Sequence, residues 1–216
     1  MRSFSFTTTS FTTTMTPLEA ALAWMQRGFS PVPVPYRSKR PLLESWQTLE
    51  LTVEAAPQYF HTQAQNIGVL LGGRYGNTDV DCDCAEAVTA ARELLSETGV
   101  IFGRQSKPFS HYFYRSDPPR RTQQFHDPLD QVMLVELRGL SSDGSIGLQT
   151  IVPPSVHETG EAVRFEPGFD GVPANIDAGV LVLAVRKVAV AALLSRHWPT
   201  KIKGRGIMRS WPLPGC

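Results

Sequence analysis

Residues 78–84 read TDVDCDC and place Asp79, Asp81 and Asp83 at every second position. Successive side chains of a β-strand point to opposite faces, so the three carboxylates would share one face, about 6–7 Å apart along the strand. Like charges at this spacing repel, and aspartate is intrinsically unfavourable in strands. A divalent cation would remove the repulsion, so the pattern predicts a strand with a metal site. Cys82 points the other way and is expected to be a buried core thiol.

Helical and extended segments alternate on both sides of this stretch. A capping box at Thr16, with proline at the next position, starts one helix, and apolar residues recur with a helical period in 84–98 and 176–198. Extended segments are predicted from alternation or from proline at 31–35, 66–72, 78–83, 110–115, 131–138, 147–152 and 162–165. Residues 120–130 are interpreted as a polar loop, and 141–145 as a hairpin turn between two strands.

Length and composition limit the class of protein. The 216 residues, 42% of them hydrophobic and 19% charged, can bury a core as one large domain or two small lobes. A net charge of +1 gives no overall attraction to nucleic acid, so any such surface has to be a local patch. Three cysteines with neither zinc-site spacing nor an even number fit a reducing, cytoplasmic location. No apolar run approaches the length of a membrane span, so no membrane contact is expected.

The two ends of the chain differ from the middle in composition. Residues 1–15 are rich in serine and threonine and lack the apolar core of a signal peptide, so a disordered leader or a misassigned start is expected. Residues 199–216 are basic, rich in proline and glycine and without periodicity, which is typical of a tail or linker. Residues 16–198 remain as the folded domain.

A basic, hydroxyl-rich segment lies in the sequence between the aspartates and a second acidic strand. Its candidate residues are Arg104, Ser106, Lys107, Ser110 and His111, and the second carboxylate is Glu136. Two carboxylate strands flanking a basic strand suit a metal-bound polyphosphate, because Mg²⁺ prefers few carboxylates together with phosphate oxygens. Basic side chains neutralise phosphate charge, and two ions about 3.5–4 Å apart could hold the attacking and leaving oxygens.

Simpler explanations exist for these residues. A calcium loop would need glycine and glutamate where Cys84 and Ala90 stand, so the EF-hand pattern is not met. The aspartates could instead form a solvated acidic edge strand. Glu136 could be a surface residue paired with Arg138, and His111 taken alone would more often be a packed or surface side chain.

Three segments in order resemble the motifs of the primase-polymerase (prim-pol) domain, the bifunctional DNA primase/polymerase N-terminal type of the archaeo-eukaryotic primase superfamily. DVDCDCAEA resembles the first, acidic motif, and IFGRQSKPFSHYFYR resembles the second, which contains serine and histidine. VELRG followed by QTIVPPSVHETGE resembles the third, and GFSPVPVPYRSKRPLLESW is similar to the family's opening stretch. The resemblance covers roughly residues 16–198, which would form the catalytic domain.

The resemblance implies a fold and an activity. The fold would be α/β (α+β), with an antiparallel-rich sheet, flanking helices and a small N-terminal lobe. The activity would be template-dependent transfer of a nucleotide from a (d)NTP to a 3′-hydroxyl on single-stranded DNA, with Mg²⁺ or Mn²⁺, in replication of a plasmid, phage or other mobile element. A helicase or another C-terminal replication module outside this chain is an implied partner.

The resemblance also implies roles for individual residues. Asp81, Asp83 and Glu136 match the metal ligands, and His111 with Ser110 matches the triphosphate contact. Asp79 with Asp81 remains an alternative metal pair. Further nucleotide contacts are expected from Arg104, Ser106, Lys107, Gln149, Ser155 and His157, and nucleic-acid contacts from Lys39, Arg40, Arg120 and Arg121. Two rival functions are a metal-dependent nuclease that uses the same carboxylates on water, and a non-catalytic nucleic-acid-binding replication module.

Alternation along residues 109–113 adds one expectation. His111 would share a face with Phe109 and Phe113 and present its ring to a cleft between the aspartate strand and the Glu136 strand. Ser110 would point the other way and support the strand rather than touch the substrate.

Overall fold

The computed structural model describes residues 15–61 and 64–199. The expected leader and the expected tail lie outside the described residues, apart from Met15 and Pro199.

The described part of the chain contains four α-helices and ten β-strands. The helices are α1 (Pro17–Gln26), α2 (Ala56–Tyr59), α3 (Ala85–Leu94) and α4 (Ala178–His197), with a 3-10 turn at Trp46–Thr48. The strands are β1 (Pro31–Pro35), β2 (Gln65–Leu70), β3 (Asn77–Cys82), β4 (Val100–Arg104), β5 (Lys107–Asp117), β6 (Gln123–His126), β7 (Met133–Arg138), β8 (Gln149–Val152), β9 (Arg164–Asp170) and β10 (Ala174–Asp177). The predicted mixed α+β class is confirmed.

The strands form a small and a large sheet. The small sheet has three antiparallel strands in the order β1-β2-β8. The large sheet has seven strands, in the order β6-β7-β3-β5-β4-β9, with β10 parallel to the end of β5. The acidic strand β3 is central and pairs antiparallel with both β5 and β7. The expectation that the basic strand lies between the two carboxylate strands is therefore wrong, because sequence order is not spatial order in this sheet.

Two apolar cores lie on opposite faces of the large sheet. One core packs that sheet against α3 and α4, and it includes Val80 and Cys82 of β3, both fully buried. The other lies toward the small sheet and α1, and it includes Trp24, Phe102 and Phe113. Because β3 alternates, its aspartates face the small sheet, and Cys82 is the core thiol that the sequence predicted.

Helix α1 begins where the capping box predicts. Thr16 Oγ1 accepts a hydrogen bond from Glu19 N at 3.2 Å, and Glu19 Oε2 accepts one from Thr16 N at 2.7 Å. The helix is tied to the segment after β8 by Trp24, whose Nε1 donates to Pro153 O at 2.8 Å. The Trp24 contact thus fixes the end of β8 relative to α1.

The structure corrects two predictions about the connections. Residues 123–126, expected in a polar loop, form β6 and pair with β7 at the edge of the large sheet. The turn at 141–145 exists, with Gly144 N donating to Ser141 O at 3.0 Å, but it does not close a hairpin. Strand β7 belongs to the large sheet and β8 to the small sheet, so this turn carries the chain from one sheet to the other.

Helix α4 is long and apolar enough to cross a membrane, since it has 20 residues and contains an 18-residue window with a mean hydropathy of 2.0. The expectation that no apolar run approaches that length is therefore wrong. Length and composition alone are weak grounds for a span, because a core helix meets the same criteria. Leu181, Val185 and Val188 of α4 are buried in the core of the large sheet.

Asp127 joins the end of α4 to the loop between β6 and β7. Its buried Oδ2 accepts hydrogen bonds from Arg196 Nε at 2.9 Å and His197 Nε2 at 2.6 Å, and its Oδ1 accepts one from Leu129 N at 3.0 Å. Burial alone would raise the pKa of Asp127, but these hydrogen bonds outweigh burial and lower the pKa to about 2.

We expect Asp127→Asn to lower the Tm at pH 7 by several degrees. A pKa that is lower in the folded state stabilises the protein above the unfolded value of about 4, and this stabilisation is lost as the pH falls through about 2. The difference in Tm should therefore vanish toward pH 2 in circular dichroism melts. The control is Asp130→Asn, which removes a half-exposed partner of Arg196 and should lower the Tm less. An equal loss of Tm in both variants would contradict the role assigned to the buried Asp127 carboxylate.

Candidate active site

The cross-strand register of the large sheet gathers polar side chains into one row. Asp81 of β3 lies directly opposite Glu136 of β7 on one side and His111 of β5 on the other. Residues opposed in this way have Cβ atoms about 4.5–5.5 Å apart. Gln124 of β6 extends the row, and its Nε2 donates to Glu136 Oε1 at 2.8 Å.

Three residues of this row, Asp81, His111 and Glu136, line a cleft of about 380 Å³, whose other wall includes β8 of the small sheet. The predicted site residues that line the cleft are Lys39, Asp81, Asp83, Arg104, Lys107, Ser110, His111, Glu136, Gln149 and His157. The predicted residues outside this lining are Arg40, Asp79, Ser106, Arg120, Arg121 and Ser155. The structure thus brings most of the nucleotide and metal candidates together and leaves most of the nucleic-acid candidates elsewhere.

The side chain of Lys107 lies between the carboxylates of Asp81 and Asp83 in this cleft. Its Nζ is 3.3 Å from Asp81 Oδ1 and 2.9 Å from Asp83 Oδ1. Burial alone would lower the pKa of Lys107, but the two carboxylates outweigh burial and raise it. One ammonium group is therefore shared by the two carboxylates and offsets part of their negative charge.

The three carboxylates that line the cleft differ in their pKa shifts. Burial raises the pKa of Asp83, with a further rise from the charge of Asp81, and burial also raises the pKa of Glu136. For Asp81, the positive charges of His111, Lys107 and Arg138 outweigh burial and lower the pKa. Asp81 is therefore the carboxylate most strongly held in its charged form.

Asp79 is fully buried behind this row and does not line the cleft. Its Oδ2 accepts hydrogen bonds from Thr150 Oγ1 at 2.7 Å and from His111 Nδ1 at 3.1 Å, and Arg138 Nη1 is 3.4 Å away. Its oxygens are thus occupied by protein donors, whereas Asp81 and Asp83 face the open cleft.

His111 is held between two carboxylates and an aromatic ring. Its Nδ1 donates to Asp79, its Nε2 is 3.8 Å from Asp81 Oδ1, and its ring stacks on Phe102 at 4.8 Å. Phe113 shares the face of His111, as predicted, but Phe109 does not. Phe109 has a φ of +51°, which breaks the alternation and turns its ring into the opposite core.

The neighbouring Ser110 also lines the cleft, but its hydroxyl is used within the protein. Its side chain is buried and its Oγ donates to Lys107 O at 3.0 Å. The hydroxyl thus supports the start of β5.

Arg138 links the acidic row to the small sheet, a role that the sequence did not reveal. Its Nε lies 3.3 Å from Glu136 Oε2, which fits the pairing considered from the sequence. Its Nη1 donates to Thr150 Oγ1 at 2.7 Å and its Nη2 to Gln149 O at 2.9 Å, both on β8. Arginine at a strand end carries no sequence signal for such a contact, because β8 is brought close only by the tertiary fold.

The turn between β4 and β5 is held by a carboxylate that the sequence analysis missed. Glu161 accepts hydrogen bonds from Ser106 N and Ser106 Oγ, each at 2.7 Å, and its Oε2 is 3.3 Å from Arg104 Nε. Ser106 is thereby engaged within the protein, while Arg104 still lines the cleft. The sequence spacing of 55 residues between Ser106 and Glu161 gives no local hint of this contact.

His157 lines the same cleft and is buried, with 8% exposure. Its Nδ1 accepts a hydrogen bond from Thr159 N at 3.2 Å, so the neutral ring carries its proton on Nε2. That Nε2 has no hydrogen-bond partner among the residues that the structure describes. Burial lowers the pKa of His157, and Lys39 and Arg104 lower it further.

Several predicted contacts lie away from the cleft. Ser155 is buried, and its Oγ accepts a hydrogen bond from Ile67 N at 2.9 Å, so it ties the segment after β8 to β2. Arg120 and Arg121 are exposed just before β6. The hypothesis that Ser155 touches a nucleotide is not favoured, because its hydroxyl is used within the protein.

The Asp81–Asp83 pair of the cleft fits a divalent cation that has additional ligands. Among residues 15–61 and 64–199, no three His, Cys, Asp or Glu side chains are arranged to hold an ion by themselves. Asp81 and Asp83 nevertheless already bracket a positive charge, the ammonium of Lys107. Mg²⁺ is commonly bound by one or two carboxylates together with substrate phosphates and water. The donor set therefore fits Mg²⁺ or Mn²⁺ in the presence of a phosphate ligand.

The family model for the bifunctional DNA primase/polymerase N-terminal domain (Prim-Pol) matches residues 21–177, well over half of the chain. The chain belongs to this family. Membership supports a DNA primase/polymerase-type function and suggests a nucleotidyltransferase. No curated protein matches the chain significantly.

We expect His111 to titrate above its usual pKa of about 6.5 in the metal-free protein. Burial opposes this rise, but the charges of Asp81 and Asp79 outweigh burial. Asp79→Asn should therefore lower the pKa of His111, as followed by NMR titration of the ring nitrogens. Asp143→Asn, in the exposed turn before β8, should leave it unchanged; an unchanged value in Asp79→Asn as well would contradict the contact.

The same shift has a consequence for stability. Because the pKa of His111 is raised in the folded state, its protonation stabilises the protein fully below the unfolded-state pKa of about 6.5. This stabilisation is lost as the pH rises through the folded-state pKa. The difference in Tm between the wild type and Asp79→Asn should therefore narrow at high pH.

Proposed function

We propose that this chain is a template-dependent DNA primase/polymerase that transfers nucleotides from a (d)NTP to a 3′-hydroxyl. The observation that carries the proposal is one cleft that contains both carboxylates and basic side chains. Asp81, Asp83 and Glu136 line it together with Lys39, Arg104 and Lys107. Membership of the Prim-Pol family supports the same reaction class.

Asp81 and Asp83 would hold Mg²⁺ or Mn²⁺, with Glu136 on the neighbouring strand directly opposite Asp81. Two such ions would supply charge stabilisation for the attacking and leaving oxygens. Asp79 is excluded from the ligand set in this proposal, because it already accepts hydrogen bonds from Thr150 and His111.

The basic side chains of the cleft would bind the triphosphate. Lys107 and His111 lie next to the carboxylates and would contact the phosphates nearest the ions, and Arg104 would neutralise the distal phosphate. The 3′-hydroxyl of the growing strand loses its proton to solvent, its oxygen attacks the α-phosphorus, the bond to the bridging oxygen breaks, and pyrophosphate leaves. Gln149 and His157 on the opposite wall would face the rest of the nucleotide.

A metal-dependent nuclease would use the same carboxylates on water but would not need basic side chains for a triphosphate. A non-catalytic binding module would need neither the carboxylates of the cleft nor the lysine that pairs with them. Growth of a labelled primer that requires both template and (d)NTP separates the three functions. We further propose single-stranded DNA as template, a cytoplasmic location and a role in replicating a mobile element, with a helicase or other replication module as partner.

Asp83→Asn should reduce primer extension by at least about a hundredfold, because it removes a ligand charge while keeping the size of the side chain. Single-turnover extension with Mn²⁺ measures the loss. Glu93→Gln, on α3 beyond the opposite face of the large sheet, removes the same charge and should extend primers normally. Near-normal extension by Asp83→Asn, with none by a folded Asp79→Asn, would move the metal pair to Asp79 and Asp81.

Template binding should depend only shallowly on salt, with a slope of log affinity against log salt equivalent to about two to four phosphate contacts. The basic candidates are few, and Lys39 already pairs with Glu158 at 3.0 Å. Fluorescence anisotropy of a labelled single strand measures the slope. Arg40→Gln should reduce the slope by about one contact and Lys187→Gln, on α4, should not. An affinity independent of salt would remove these residues from the template site.

A further inference from the structure

The ammonium of Lys107 occupies the position that a cation between the two aspartates would take. Its distances of 3.3 Å to Asp81 Oδ1 and 2.9 Å to Asp83 Oδ1 are those of a direct ion pair. The side chain is 20% exposed, so solvent screens the pair only in part. A metal ion and this ammonium cannot use the same carboxylate oxygens at once, because two positive charges in contact repel strongly.

The backbone of Lys107 is held in place, so displacement of the ammonium falls to the side chain. Lys107 O accepts a hydrogen bond from Ser110 Oγ at 3.0 Å, and a Cβ at Gly103 would lie 2.4 Å from the same oxygen. The turn before it is pinned by Glu161 through Ser106. The four-carbon lysine side chain can change rotamer without moving this frame.

The described cleft offers the displaced ammonium no other free anion. Glu136 is engaged by Gln124 and Arg138, and Glu161 by Ser106 and Arg104. A triphosphate in the cleft would supply the missing negative charge. Phosphate oxygens would also complete the coordination of the ion, which two carboxylates alone leave unfilled.

We propose that Lys107 is a built-in counter-ion that keeps the Asp81–Asp83 pair closed to metal until a nucleoside triphosphate draws its ammonium away. Metal and nucleotide then bind cooperatively, and each strengthens the binding of the other by the same factor. This inference rests on the proposed function, because it takes the two aspartates as the metal ligands. It adds that the metal-free, nucleotide-free form is held by a specific residue.

The test is Mn²⁺ binding to the full chain without nucleotide, measured from the electron paramagnetic resonance signal of free Mn²⁺. Lys107→Met keeps the length of the side chain and removes its charge, and it should bind Mn²⁺ at least about tenfold more tightly than the wild type. Lys187→Met removes the same charge from the exposed surface of α4 and should bind as the wild type does. Lys107→Arg keeps the charge and should also remain weak.

Adding a non-hydrolysable nucleoside triphosphate completes the test. It should tighten Mn²⁺ binding to the wild type strongly and to Lys107→Met much less, after correction for Mn²⁺ bound to free nucleotide. Equal Mn²⁺ affinity of the wild type and a folded Lys107→Met without nucleotide would overturn the counter-ion role. If Lys107→Met fails to fold, wild-type affinity for Mn²⁺ that is unchanged by nucleotide would overturn it.

The proposed function fails separately. If Asp83→Asn binds Mn²⁺ as the wild type does in the presence of the nucleotide, the aspartates are not metal ligands. If Asp83→Asn weakens Mn²⁺ binding but Lys107→Met leaves it unchanged, the proposed function stands and only the counter-ion role of Lys107 is removed.

Discussion

The buried carboxylate of Asp79 is the interaction on which the site depends. It joins three elements at once, because its partners Thr150, His111 and Arg138 come from β8, β5 and β7. A buried charge is tolerated only when it is paired and hydrogen-bonded, and here the pairing also spans the two sheets. The cleft walls are therefore held in register by the same groups that orient the histidine.

The carboxylates in and beside the cleft already have basic partners before any ligand arrives. Asp81 and Asp83 face Lys107, Glu136 faces Arg138, and Arg104 faces Glu161. Such pairing limits the free-energy cost of partly burying carboxylates. In each pair, one partner can be replaced by a ligand group that carries the same charge as that partner. A surface with net charge +1 overall can thus recognise polyanions in one place without attracting them everywhere.

Much of this arrangement could be predicted from the sequence where the physics is local. Strand alternation correctly put Cys82 in the core opposite the aspartates, and the capping box placed the start of α1. The predictions were wrong where long-range pairing decides. The polar sequence QQFH carries no alternation, yet pairing with β7 makes it a strand, and the positive φ of Phe109 breaks a pattern that assumes a regular pleat. The roles of Arg138 and Glu161 depend on neighbours distant in the chain, which no spacing rule can supply.

Helix α4 has a consequence for where the catalytic unit ends. The family match stops at residue 177, the last residue of β10, whereas α4 starts at Ala178. Its buried Leu181, Val185 and Val188 cover the face of the large sheet that lies behind the acidic row. A protein that ends at residue 177 would leave that face open to water. It would lose the hydrophobic free energy gained when β3 and β7 pack against α4. The unit that folds is therefore larger than the unit that the family motifs define.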